Sequence, residues 1–226
     1  MKKLLSVIVC IMLLTLCACN TTDATPDEVA TNSATETFAP IEYDIVGTWV
    51  CEDISEDVYF IFNENGDAYA KWGSCTVYGY FDYDKESNLY DIDVPNLLFN
   101  EYEATVTGDE MKLKSETSKF EFVSATMPEI VITAPDDLAV DEKILGNWQS
   151  ADNFECYEFR ADGTATITDM YNYATTDCKF SCNDGVITCY YMSSATLDGT
   201  KELSYSVTDE NNIVINDYNY ENVTVE

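Results

Sequence analysis

Asp82 with Asp84, and Asp91 with Asp93, are carboxylate pairs two residues apart, the raw material of glycosidase-type acid and base chemistry. Beyond residue 19 the chain carries six more groups able to react or to chelate: Cys51, Cys75, Cys156, Cys178, Cys182 and Cys189. It contains no histidine. That absence removes Ser–His and Cys–His nucleophilic catalysis, histidine metal centres and the usual proton shuttle near neutral pH. Carboxylates and tyrosines alone are left for catalysis, and no nucleophile motif accompanies them. Carboxylates spaced by two on an extended chain share one face, which solvent explains without any catalytic role. The expectation is a non-catalytic protein that needs no cofactor and no metal.

The cysteines fall as an even count on either side of the middle of the chain, which in an exported protein points to disulfides. A Cys51–Cys75 bridge would contribute roughly 3 kcal/mol by restricting the unfolded chain. Connectivity among Cys156, Cys178, Cys182 and Cys189 stays open, and their spacing lacks the paired C-x-x-C knuckles of a zinc site. Tyr78-Gly79-Tyr80-Phe81-Asp82-Tyr83, with Tyr171, Asn172, Tyr173, Tyr190 and Tyr191, offers aromatic faces for sugars or a wall peptide, although aromatics are equally ordinary strand residues. Asn63 to Asp67 hints at calcium, but lacks the twelve-residue ligand pattern and reads as a hairpin turn.

Lys2 and Lys3 precede an apolar run from Leu4 to Leu16, a charged region followed by a short hydrophobic one, as in a secretory signal. A spanning helix needs about 20 apolar residues, more than this run supplies. Leu16-Cys17-Ala18-Cys19 resembles the bacterial lipobox. The resemblance implies that residues 1–18 are removed, that Cys19 is lipidated, and that the protein is held at the extracytoplasmic face of the cell membrane. Residues 19–40, nearly devoid of large apolar side chains, are expected to be a disordered tether. Loss of Lys2 and Lys3 takes the net charge from −31 to −33. Such a surface repels phosphate backbones and anionic lipid, so nucleic acid is excluded as a partner and the lipid itself must make the membrane contact.

Ile45-Val46-Gly47-Thr48-Trp49 returns 99 residues later as Ile144-Leu145-Gly146-Asn147-Trp148. Phe62 to Ala70 is answered by Phe159 to Ile167, and Tyr102 to Leu113 by Leu203 to Ile215. Three anchors in one order mark an internal duplication. Tyr90, Ile92 and Val94 alternate with Asp91 and Asp93, and Met111 and Leu113 with Lys112 and Lys114, the period of half-buried strands. Asn65-Gly66, Gly108-Asp109, Asp162-Gly163 and Asp184-Gly185 supply the turns. The fold class expected is all-β: two tandem small antiparallel up-and-down barrels of about eight strands each. They would occupy residues 41–127 and 142–226, with residues 128–141 as a proline-marked linker in which Glu129 to Thr133 could form an edge strand.

A Gly-x-Trp opening such a meander, here Gly47-Thr48-Trp49 and Gly146-Asn147-Trp148, resembles the lipocalin-like (calycin) domains of bacterial envelope lipoproteins. The resemblance implies glycines that pass close to the barrel end and tryptophans that plug it. A lipocalin also stacks a late basic residue on that tryptophan, for which Lys112, Lys114, Lys119 and Lys201 are the candidates. Strands this short leave interiors filled by side chains, which moves binding to the outer surface or to the seam between barrels. The expected function is binding or cell-envelope interaction, with a glycan or protein of the envelope as partner. The alternative is a carrier of small hydrophobic ligands in a lipocalin-type cavity. Oligomeric state is not legible in the sequence.

Overall fold

A computed structural model describes residues 44–194 and 196–223. Residues 1–18, Cys19 and the expected tether lie outside the described residues. The chain forms an all-β, antiparallel structure. Its first eight strands are β1 (Gly47–Cys51), β2 (Ser55–Phe62), β3 (Asp67–Trp72), β4 (Cys75–Asp84), β5 (Leu89–Val94), β6 (Leu98–Thr107), β7 (Glu110–Lys114) and β8 (Lys119–Ser124). Each pairs with the next, and β1 pairs with β8, so the ring closes into a barrel. One turn of 3-10 helix, Glu142–Ile144, leads into β9 (Gly146–Gln149), β10 (Glu155–Phe159), β11 (Thr164–Asp169), β12 (Ala174–Asn183), β13 (Val186–Ser194), β14 (Leu197–Asp209), β15 (Asn212–Ile215) and β16 (Tyr218–Asn222). These also pair in sequence, and β16 pairs back onto β9.

Alternation decides which side chains fill the rings. In β5, Tyr90, Ile92 and Val94 are buried while Asp91 is exposed; in β7, Met111 and Leu113 are buried between exposed Glu110, Lys112 and Lys114. The first interior packs Phe60 edge-on to Phe122 and Phe62 edge-on to Phe81, each at 5.5 Å. The second packs Phe159 against Phe180 at 5.0 Å and Tyr157 against Tyr220 at 5.3 Å. Each such buried aromatic contributes about 1.5–3 kcal/mol of transfer free energy. The buried hydroxyls are partnered: Tyr157 donates to Glu155, and Asn153 donates to the Tyr220 oxygen.

The rings share one continuous sheet, because β4 also pairs with β12. β5 reaches only Tyr80–Asp84 of β4, and β13 reaches only Lys179–Asn183 of β12. Each long strand therefore overhangs its successor and leaves a run of unpaired backbone, and each overhang covers the other. Cys75, Thr76 and Val77 lie opposite Thr176, Thr175 and Ala174. Tyr78 N–H donates to Tyr173 O at 2.9 Å and Asp177 N–H to Ser74 O at 3.1 Å. Beside them Ser74 clamps Met192, donating its N–H to the Met192 carbonyl at 2.8 Å and accepting the Met192 N–H on Oγ at 2.9 Å.

Glu129 to Thr133 is not a strand. Pro128 and Pro135 bracket it, and two closed rings offer no edge for it to join. Further on, the segment lies along β12: Ala139 N–H donates to Ser181 Oγ and Cys182 N–H donates to Ala139 O.

Candidate functional site

The seam between the rings holds a pocket of about 420 Å³ whose walls come from both. The turns at one end of the first ring, after β3 and after β5, meet the end of β13 and the turn after β11 of the second. Trp72, Cys75, Val77 and Leu97 line it from the first ring, and Glu155, Ile167, Asp169, Ala174, Thr176, Tyr191 and Lys201 from the second. These second-ring positions continue the inward rows of their strands: Ile167 and Asp169 follow Ala165, Tyr191 follows Ile187 and Cys189, and Lys201 precedes Leu203. The pocket is a vestibule over the mouths of the barrels, above their filled interiors. Two larger hollows of about 560 and 530 Å³ each lie on a single ring and are walled by polar chains such as Asp152, Asn212 and Glu221, or Glu101, Glu103 and Lys114.

The polar groups of the vestibule are held by one another. Lys201 Nζ lies 2.6 Å from Glu155 Oε1, with both side chains about one-third exposed. Asp169 accepts the Tyr171 and Asn172 backbone N–H groups on Oδ1, and the Asn172 amide on Oδ2 at 2.6 Å. Burial works against ionisation of Asp169, but these donors outweigh it, with help from the Lys201 charge, and hold its carboxyl below the usual range. Asn96, on the turn after β5, donates Nδ2 to Asn172 Oδ1 at 3.3 Å and ties the two rims together. The Tyr191 ring lies over Gly199: a Cβ there would stand 2.7 Å from two of its ring carbons. Exposed Phe99, Phe154, Met170, Tyr171, Tyr173 and Leu197 occupy strand ends and turns at the same end of the rings, and Phe154 packs against Tyr171 at 6.0 Å.

The disulfide expectation is overturned. Cys51, Cys75, Cys156, Cys178, Cys182 and Cys189 are all free thiols. Cys51 is buried on β1, and three strand spacings separate β1 from the start of β4, where Cys75 meets the vestibule. At about 4.8 Å per spacing this is roughly 14 Å around the sheet, against a limit of about 7 Å between Cα atoms. Cys156 packs its sulfur 3.4 Å from Met170 Sδ. Cys178 and Cys189 face the second interior on adjacent strands, where Cys189 is opposite Phe180 rather than Cys178. Cys178 donates to Cys189, and that bond together with burial raises its pKa. Cys182 is also buried, which raises its pKa. Among the described residues no group of three or more Cys, Asp or Glu stands where it could hold a metal ion.

Trp49 and Trp148 are both buried, and each indole N–H donates to a carbonyl four residues earlier: Ile45 at 2.9 Å and Ile144 at 2.6 Å. Gly47 and Gly146 adopt φ of +149° and +126°, which favours glycine at both strand starts. The lysines considered for stacking go elsewhere: Lys112 and Lys119 pair with Glu121, Lys114 is exposed, and Lys201 pairs with Glu155. Asp82 lies opposite Asp91, and Tyr80 opposite Asp93, on the outer face of β4 and β5. Burial raises the Asp93 pKa, the Tyr80 hydroxyl opposes this and Asp91 adds to it. Asn63 to Asp67 is a hairpin turn closed by Asn63 N–H to Asp67 O. Tyr78 and Tyr80 face outward, and Tyr78 packs edge-on to Tyr69 at 5.4 Å.

Trp72, Leu97, Glu155 and Asp169 carry no sequence signal as site residues, because each becomes part of a wall only when β4 meets β12. No protein-family model matches the chain, and comparison with curated proteins finds no match.

Proposed function

We propose that this is a non-catalytic binding protein of the cell envelope, anchored at the extracytoplasmic face through a lipid on Cys19. In this reading residues 41–127 and 142–226 are tandem lipocalin-like domains, residues 128–141 join them, and the vestibule between them receives the ligand. The observation that carries it is the pocket of about 420 Å³ walled by both rings. Small-molecule sites have this character, with apolar and aromatic walls and a few fixed polar groups. The exposed aromatic chains around the mouth extend the contact to a glycan or protein of the envelope. The lack of histidine supports a binding role.

A carrier of small hydrophobic molecules is the second reading, favoured by the way Ile167 and Tyr191 open the second ring toward the same pocket. Titration of the purified protein with peptidoglycan fragments, glycans and lipids, followed by Trp72 fluorescence, separates the two. Envelope binding predicts saturable binding of a wall fragment that leaves the protein lipid-free. Stoichiometric extraction of a lipid would establish the carrier, and no response to any class would end both readings.

A further inference from the structure

We propose that the vestibule is a seat for a small organic cation, a primary ammonium on an apolar or aromatic stem. This rests on the reading of the vestibule as the binding site. Its chemistry follows from a hydrogen-bond chain that can run in one direction only. Asp169, ionised, accepts but cannot donate, so Asn172 must present its Nδ2 to it. Asn172 then turns Oδ1 to the other ring, and Asn96 must answer with Nδ2. The chain ends with Asn96 Oδ1, an acceptor, on the rim of the pocket. Each amide commits one N–H to these partners, and Lys201 commits one to Glu155. Asn96 Oδ1 and the carboxylates of Glu155 and Asp169 give the site acceptors and negative charge.

The charges agree. Glu155 and Asp169 outnumber Lys201, so the pocket carries one surplus negative charge. The chain around it stands at −31. A cleft in such a field concentrates cations and repels carboxylate or phosphate head groups. Trp72 and Tyr191 present aromatic surface to the same space, which attracts an ammonium through the ring quadrupole. Val77, Leu97 and Ile167 supply apolar wall for the stem. A neutral apolar ligand would cover Asn96 Oδ1 without giving it a donor and would leave the Asp169 charge without a counter-charge.

The test is calorimetric titration of the full-length protein with 4-phenylbutylammonium, 4-phenylbutanol and 4-phenylbutyrate. The cation is expected to bind about tenfold or more tighter than the alcohol, with the acid weakest. Its affinity should fall several-fold as salt rises from about 0.02 to 0.3 M. Asp169→Asn should bring the cation down to the level of the alcohol, and Asn96→Ala, which leaves the Asp169 turn intact, should weaken the cation selectively. Gly199→Ala drives the Tyr191 ring from its place and should weaken cation and alcohol alike. Equal binding of cation and alcohol, both sensitive to Gly199→Ala, would overturn the cation and leave the seat. Absence of binding, or binding indifferent to Gly199→Ala, would overturn the seat as well.

Discussion

Thr76 lies directly opposite Thr175 where β4 meets β12, and the two stand 99 positions apart, the spacing that separates Trp49 from Trp148. Around them the pairing is reciprocal: Cys75 faces Thr176 and Val77 faces Ala174, while Tyr78 reaches Tyr173 and Asp177 reaches Ser74. Each of these contacts maps onto its counterpart when the strands are exchanged at that spacing. The junction thus has a local two-fold character, as when two copies of one surface meet.

The junction is tight at Gly73. Its φ is +50°, and a Cβ would fall 2.2 Å from the Met192 carbonyl oxygen. Gly73→Ala must push β13 away, at an expected cost on the order of 1–3 kcal/mol. Urea denaturation reads the loss, and amide exchange at Tyr78 and Asp177 should quicken. Unchanged exchange at those two amides would show that the rings are not held together here.

The tryptophans divide by role. Trp148→Phe strands the buried Ile144 carbonyl and leaves a void, for an expected loss of about 2–4 kcal/mol. Trp72 is only half-buried at the vestibule, and Trp72→Phe should cost less than about 1 kcal/mol. Comparing the two denaturation midpoints checks this; equal losses would contradict the placement of Trp72 on a pocket wall.

Thiol chemistry follows burial. Burial raises the Cys51, Cys75 and Cys156 thiols above their ordinary pKa, with Asp169 adding to the effect at Cys75. Iodoacetamide at pH 8 should therefore label Cys75 and Cys156 slowly in the folded protein. Buried Cys51, Cys178, Cys182 and Cys189 should react only on unfolding. Peptide mapping by mass spectrometry reads each site, and any of the six found disulfide-linked in the folded protein would refute the free-thiol assignment.

Asp169 makes stability depend on acid. Its folded pKa lies below its unfolded value, so its contribution is complete above about pH 4 and is lost as pH falls through the folded value. Asp169→Asn should lower stability by about 0.5–1.5 kcal/mol at pH 7. The gap between variant and native should narrow as pH falls below the ordinary aspartate range and through the folded value. A gap that does not narrow would mean that the turn after β11 does not depend on the charge.

Strand identity was legible from local pattern. The alternation at Tyr90–Val94 and Met111–Leu113 sets which faces are buried, and the turn dipeptides separate the strands. That reading needs only the two-residue period of an extended chain, which every half-buried strand expresses in its own residues. The length of β4 was less legible, since Tyr78 and Tyr80 put aromatic residues on its outer face and blur the alternation.

Two expectations failed for the same reason. The Cys51–Cys75 bridge and the Glu129–Thr133 edge strand both assumed relations between distant segments that composition does not encode. Strand order puts β2 and β3 between the cysteines, and ring closure removes the edge that the extra strand needed. The vestibule belongs to this class too. Asp169 and Asn172 form a turn that the sequence could suggest, but Asn96, Trp72 and Leu97 reach it only because β4 and β12 overhang their neighbours. Alternation is a property of single strands and can be read one strand at a time. A wall shared by two rings depends on which backbone groups are left unpaired once both have closed, and only the tertiary structure decides that.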